Sequence, residues 1–225
     1  MTDGPAKQAS LAPDSTRLLV IRHGETAWNR ERRWQGHLDI DLNARGAVQA
    51  ASLGPALAHE PLDAVYASDL QRARKTAEGM SHGRGLPVHL DPALRERAFG
   101  AFEGMLHGEV EAADPAGYAR WRAHDLDYGP PGGETLADFH RRVLDAVTAI
   151  ARRHLGQVVA IVTHGGVLDC LYRAASGAPM HGPRTADLLN AAINRLEYAG
   201  GRLHLVSWGE AEHLAGLALD EIDRA

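Results

Sequence analysis

The sequence predicts an α/β protein: a single three-layer α/β/α sandwich whose central sheet is mainly parallel and carries an antiparallel pair at its edge. Three observations predict it. First, Leu18-Leu19-Val20-Ile21 and Val158-Val159-Ala160-Ile161-Val162 are unbroken apolar runs that stop at Arg22-His23-Gly24 and Thr163-His164-Gly165-Gly166. Such runs suit strands buried on both faces of a parallel sheet. Second, segments of helical periodicity alternate with the candidate strands, the pattern of this layered architecture. Third, Ala199-Gly200-Gly201-Arg202 separates two strand-like stretches, Ile193 to Tyr198 and Leu203 to Trp208, as the turn of a hairpin does.

The elements follow in order. Residues 1–15 mix proline, glycine, serine and charge, and read as a flexible N-terminal tail ahead of one domain at 16–225. After the Leu18 strand, Asn43 caps a helix from Ala44 to Ala58 that Gly54-Pro55 should kink or break. Val65-Tyr66-Ala67 is a third strand, and Ser68-Asp69-Leu70-Gln71 has the capping-box pattern that opens a helix bearing Arg72. Between Gly100 and Gly133 regular apolar spacing gives out and Pro130-Pro131 intervenes. This stretch reads as an excursion over the sheet, with a helix near Pro115–Ala123, of the kind that shapes access to a site. Thr135 caps the next helix, where Leu136, Phe139, Val143, Val147 and Ile150 recur at intervals of three and four. It reaches His154 and stops at Gly156, just ahead of the Val158 strand.

Composition narrows the function. At 225 residues and 44% hydrophobic content the chain can bury the core of one large domain. A formal charge of −5 argues against nucleic acid or a membrane surface as partner, since both call for a basic face. The single cysteine, Cys170, excludes an internal disulfide and a cysteine-based zinc site; among Val167, Leu168 and Leu171 it reads as a core residue. No apolar run approaches the ~20 residues that span a bilayer, and the N-terminal residues lack a hydrophobic leader, so the expectation is a cytoplasmic protein. An edge strand or the segment 211–225 is available for a homodimer.

His23 and His164 each follow a buried strand and precede a glycine. Ligands of open α/β sheets bind beyond the carboxyl ends of the strands, so two central parallel strands would present both imidazoles on one rim. Arg22 adjoins His23, and Arg72 sits in the first turn of a helix that also starts from a strand end, against the helix dipole. An anionic ligand explains why an acidic protein gathers these groups at one edge. A zinc site is the competing explanation, because the chain has 13 histidines. However, the arginines would repel a dication, and no HExxH spacing occurs.

These residues belong to a longer series. Arg22-His23-Gly24-Glu25-Thr26 with Trp28-Asn29 and Gln35-Gly36 is followed by Leu42-Asn43-Ala44-Arg45-Gly46. Next come Ser68-Asp69-Leu70-Gln71-Arg72-Ala73, Leu94-Arg95-Glu96 with Glu103-Gly104, Pro131-Gly132-Gly133-Glu134-Thr135 and Thr163-His164-Gly165-Gly166. The ordered set, over about residues 17–210, resembles the histidine phosphatase superfamily, the phosphoglycerate mutase-like group. The resemblance implies the same layered fold. It implies that His23 is the nucleophile that becomes phosphorylated, that Arg22, Arg72 and His164 bind the transferred group, and that Glu96 is the proton donor. Asn29, Gln35, Gly36 and Gly165 fall at substrate-binding positions. It implies a small phosphate ester as ligand, and no metal or cofactor.

Those residue types suit that chemistry. Imidazole has an unperturbed pKa of about 6.5, and adjacent guanidinium groups favour its neutral, attacking form. The glycine after His23 would let a phosphate approach the backbone. Phosphoryl transfer depends on positioning and on charge spread over nonbridging oxygens, which planar guanidinium donors meet. The leaving alkoxide needs a proton, which Glu96 would supply before activating the water that follows. Glu25 would cap, orient an arginine or face water, Glu134 would organise the helix start or orient a site arginine, and Trp28 and Trp34 would line the entrance or pack. Mutase-branch enzymes resemble one another in a longer basic insertion with a paired arginine, whereas 104–133 here is short, acidic at first, and offers only Arg120 and Arg122. Asp41 departs from the proline that many relatives have. Hydrolysis is therefore expected ahead of a phosphoglycerate mutase, or of a non-catalytic phospho-ligand binding module.

Overall fold

A computed structural model describes residues 11–216. Its strands are β1 (Thr16–Arg22), β2 (Ala64–Ala67), β3 (Val88–Leu90), β4 (Val158–Thr163), β5 (Ile193–Ala199) and β6 (Arg202–Glu210), in the sheet order β3-β2-β4-β1-β5-β6. The first four are mutually parallel; β5 runs antiparallel to β1, and β6 to β5. The expected edge hairpin is therefore present, with Gly200 and Gly201 both at positive φ in its turn. β3 is three residues long, Val88-His89-Leu90, too short for periodicity to announce it.

β1 and β4 lie side by side at the centre, and both faces of each are covered. Leu18, Val20, Val159 and Ile161 face one hydrophobic cluster, with residues of α6 (Leu136–Arg153) and α7 (Gly165–Ser176). Leu19, Ile21, Ala160 and Val162 face the other, with α2 (Ala44–Ala56) and α3 (Gln71–Ser81). The period-two alternation of a strand splits each run between two layers, which is why neither run shows a polar face. Cys170 is fully buried in the first cluster, and burial pushes its thiol pKa up, as suits a core residue.

The side-chain caps expected from sequence form with one exception. The side chains of Asn43 and Thr135 accept the N–H groups of Gly46 and Asp138 at 2.8 and 3.0 Å. α2 ends at Ala56, with Pro55 in its last turn. The capping box expected at Ser68 does not form: α3 starts after Leu70, which supplies no side-chain cap, and the Gln71 N–H is taken by Asp39 Oδ1 at 2.7 Å. The donor at this helix start is satisfied from another loop, which local pattern cannot reveal.

The excursion carries α4 (His107–Ala113) as well as the expected α5 (Pro115–Arg122). α4 has one buried apolar residue, Val110, too few for a periodic signal. With a short helix, α1 (Ala27–Glu31), and the loop after it, the excursion builds a separate aromatic core of Trp34, Phe102, Tyr118 and Tyr128 beside the carboxyl ends of the parallel strands. Of the N-terminal segment, residues 1–10 lie outside the described residues; Ser15 is buried, and its carbonyl accepts the Gly156 N–H. Residues 217–225, part of the segment considered for a dimer, also lie outside them. Among the described residues no helix is long and apolar enough to cross a membrane.

Candidate active site

The register of β1 and β4 pairs Arg22 with Thr163, so His23 and His164 leave the sheet side by side. The His23 N–H donates to the Thr163 carbonyl at 2.9 Å, and the two imidazole centroids are 5.1 Å apart. The rings are in contact rather than facing each other across open space. His23 borders an open cavity; His164 is fully buried behind it.

Hydrogen bonding sets both tautomers. His23 Nδ1 lies 2.7 Å from the Gly24 carbonyl, which can only accept, so Nδ1 carries the proton and Nε2 keeps the lone pair. Arg72 Nε donates to His164 Nδ1 at 3.2 Å, which places the His164 proton on Nε2. That Nε2–H is buried without a hydrogen-bond partner, an orphan donor that a bound oxyanion would satisfy. Burial is the main cause holding the pKa of each histidine well below 6.5, followed by the charge of Arg72, so both are neutral at pH 7.

Arg72 is fully buried and anchored by carbonyls, not carboxylates: Nη1 donates to Leu38 O and Nη2 to Gly36 O, both at 2.8 Å. These acceptors explain how a cation sits at a helix N-terminus. Burial lowers its pKa to about 10, leaving it charged at pH 7. Gly36 is at φ +50°, and a Cβ there would lie 2.1 Å from Glu103 Oε1, so this carbonyl needs glycine. Arg22 Nη1 is held by Leu188 O at 2.6 Å. Gly24 also meets a backbone constraint: its Cβ would lie 2.5 Å from Gly46 O, and a Cβ on Gly46 would lie 2.0 Å from Glu25 O. The two glycines press backbone against backbone between β1 and α2.

Glu96 borders the cavity, its Oε1 accepting the Arg97 N–H at 2.8 Å and its Oε2 the Gly166 N–H at 2.9 Å. A Cβ on Gly166 would lie 2.2 Å from Oε1, so the glycine of the His-Gly-Gly turn that serves the site is Gly166. Gly165, expected at the substrate, is buried at the first position of α7 and does not border the cavity. Asn29, Gln35 and Gly36 do border it. Asn29 Oδ1 accepts the Thr26 N–H at 3.0 Å, which fixes the flip of its amide.

Arg142, Asn190 and Arg173 were not legible in sequence, whereas Glu25, Glu134, Trp28 and Trp34 take up roles read there. Arg142, from α6, donates to the carbonyls of Ala93, Arg95 and Glu96 and to both carboxylate oxygens of Glu134, and so holds the Glu96 segment. This is the arginine that Glu134 orients. Glu25 is buried, accepting from Asn43 at 2.5 Å and from Arg45 at 2.7 Å. Asn190 Nδ2 donates to the His23 carbonyl at 2.7 Å. Trp34 both packs and lines: it is 4% exposed, 4.5 Å from Trp121 and 4.6 Å from Phe99 between ring centroids, and borders the cavity with Trp28. Arg173, paired with Asp169 at 2.9 Å, donates to the carbonyls of Pro179, His181, Gly182 and Pro183. It thereby holds the loop that presents Arg184 to the cavity. Among the described residues no group of three or more His, Cys, Asp or Glu side chains is placed to hold a metal ion.

Comparison with known proteins finds relatives over most of the chain. The family model described as histidine phosphatase superfamily (branch 1) matches residues 18–211. Phosphoglycerate mutase-like protein 4 of Arabidopsis thaliana is 36% identical over 205 residues, 89% of this chain and 88% of that protein. The metal-independent phosphoserine phosphatase of the same plant is 33% identical over 216 residues, 94% of this chain and 89% of that one. Among solved structures, YhfR of Bacillus stearothermophilus superposes with a TM-score of 0.81 at 38% identity, covering 88% of this chain and 99% of that one.

Proposed function

The chain belongs to the histidine phosphatase superfamily, and from that premise we propose that it is a metal-independent phosphomonoesterase. It moves the phosphoryl group of a small phosphate ester to His23 and then to water. The observation that carries this reading is the fixed tautomer of His23, whose lone pair is on Nε2 next to two buried guanidinium groups.

In the first step His23 Nε2 attacks phosphorus and the P–O bond to the alcohol breaks. The protonated carboxyl of Glu96 gives its proton to the leaving oxygen. Arg22, Arg72 and the Nε2–H of His164 meet the charge on the nonbridging oxygens. As the Nε2–P bond forms the ring becomes cationic, and its Nδ1–H bond to the Gly24 carbonyl becomes charge-assisted. In the second step the Glu96 carboxylate takes a proton from water, the water oxygen bonds to phosphorus, and the P–N bond breaks. Inorganic phosphate leaves, and His23 and Glu96 return to their starting states. Hydrolysis is supported over transfer back to the substrate because Arg120 and Arg122 are exposed and do not border the cavity. The names of the relatives support both activities, phosphoserine phosphatase and phosphoglycerate mutase.

Phosphate release from p-nitrophenyl phosphate is expected to persist in excess EDTA. Quenching with labelled ester should trap an acid-labile phosphoprotein. The His23→Ala protein should form none and lose on the order of 10⁵-fold in turnover, as other enzymes do without their nucleophile. Complete inhibition by EDTA, or a His23→Ala rate within tenfold of the parent, would sink the proposal. Conversion of 3- to 2-phosphoglycerate outrunning phosphate release would favour the mutase instead.

A further inference from the structure

The tautomer of His23 depends on where the Gly24 carbonyl points, and that carbonyl is aimed from outside the cavity. In the planar trans peptide joining Gly24 to Glu25, the C=O and the N–H point in opposite directions. The C=O lies 2.7 Å from His23 Nδ1. The N–H donates to Gln49 Oε1 at 2.8 Å. Gln49 therefore grips the far side of the plane whose near side takes the imidazole proton. Gly46, three residues earlier and so on the same face of α2, has no Cβ to hold that helix away from Glu25.

The preceding peptide is gripped in the same manner. Asn190 Nδ2 donates to the His23 carbonyl at 2.7 Å, and the Gly24 N–H donates to Thr76 Oγ1 at 2.9 Å. Thr76 also has a local role, since its hydroxyl donates to the Arg72 carbonyl one turn back along α3 at 2.7 Å. Gln49 has none. It is 1% exposed, it does not border the cavity, and its Nε2 is buried without a hydrogen-bond partner. A buried donor left unsatisfied costs on the order of 1–3 kcal/mol. Such a cost is expected where function, rather than stability, selects the residue.

We propose that Gln49 is a positioning residue for phosphoryl transfer. Through the Gly24–Glu25 peptide it keeps the His23 proton on Nδ1 and the lone pair on Nε2. The inference rests on the phosphohistidine reading of the site and names a residue which that reading does not use. Without the Gln49 bond the peptide plane can turn, and Nδ1 loses its acceptor. Part of the His23 population then carries its proton on Nε2, where it cannot attack phosphorus. The same carbonyl meets the ring once it becomes cationic, so the loss extends to the transition state.

The test reads the ring nitrogens of His23 directly. Long-range 1H–15N spectra are recorded on the full-length protein labelled at histidine, and the His23 signals are those missing from the His23→Ala protein. The parent should show Nδ1 protonated and Nε2 bare; the reverse would overturn the proposal with no change at position 49. Gln49→Met keeps the side-chain length and removes the acceptor oxygen. It should move part of the population to Nε2–H and lower kcat for p-nitrophenyl phosphate roughly threefold to tenfold, the worth of one hydrogen bond, with KM within about twofold. Gln49→Glu keeps an acceptor oxygen, and should hold the parent's tautomer and a kcat nearer the parent's than that of Gln49→Met. A tautomer unmoved in Gln49→Met, or moved equally in both variants, would show a packing role and defeat this inference alone. A tautomer that moves in a protein whose parent releases no phosphate defeats the phosphomonoesterase reading alone.

Discussion

The two ends of the cavity are built from different parts of the chain. At the end we propose for the phosphoryl group, His23, His164 and Arg22 stand on or just beyond central strands, and Arg72 is pinned by carbonyls at the start of α3. At the end proposed for the alcohol the lining comes from the 100–133 excursion, α6 and the 177–187 loop: His107, Trp121, His124, His140 and Arg184. The first end depends on backbone, through tautomers set by a carbonyl and a guanidinium and through glycines that admit no Cβ. The second depends on side chains packed against one another, as in the cluster of Trp34, Phe99 and Trp121. A rigid end suits chemistry common to all phosphate esters, and a side-chain-built end suits recognition of one alcohol.

Substitutions on each side test this division. Arg72→Met should lower kcat by about 10²- to 10³-fold, the effect of removing a preorganised donor to developing charge. If only KM rises, Arg72 binds without acting on the transition state, and the contrast fails. Trp121→Ala should act the other way, raising KM for the physiological ester about tenfold while kcat falls less. Steady-state kinetics on the same ester would show whether the two profiles separate.

The third expectation concerns acid stability. The His140 pKa is about 4 in the folded protein against 6.5 for an ordinary histidine, chiefly because of burial. Between these values the unfolded chain takes up a proton that the folded one does not. Stability is therefore lost as pH falls from about 6.5 to about 4, by roughly 3 kcal/mol from this residue. Melting temperatures of His140→Gln should fall less steeply over that window than those of the parent. Parallel slopes would mean that the alcohol end does not bear this cost.

The phosphoryl end was legible because its residues lie next to the strands that position them. An apolar run, a histidine and a glycine are contiguous in sequence, and the parallel pairing of β1 and β4 brings the two copies together. The alcohol end was not. Arg97 looks like one of an ordinary charged triplet in Arg95-Glu96-Arg97, and only the fold shows it buried on the carbonyls of Glu134 and Tyr128. Arg142 lies on a helix whose apolar spacing was read correctly, yet nothing in that spacing says which loop its polar face holds. Gly165 and Gly166 are adjacent and chemically identical, and only the approach of Glu96 distinguishes them.

The Arg173 clip has an implication for engineering. The loop it grips has no helix or strand of its own, and one guanidinium on α7 gathers four of its carbonyls. Such a segment behaves as a cassette: its sequence can be exchanged for that of a relative, with Arg184 replaced by whatever a new substrate demands, so long as the clip and its acidic partner stay. Selectivity could then be redesigned without disturbing the sheet on which the two histidines stand.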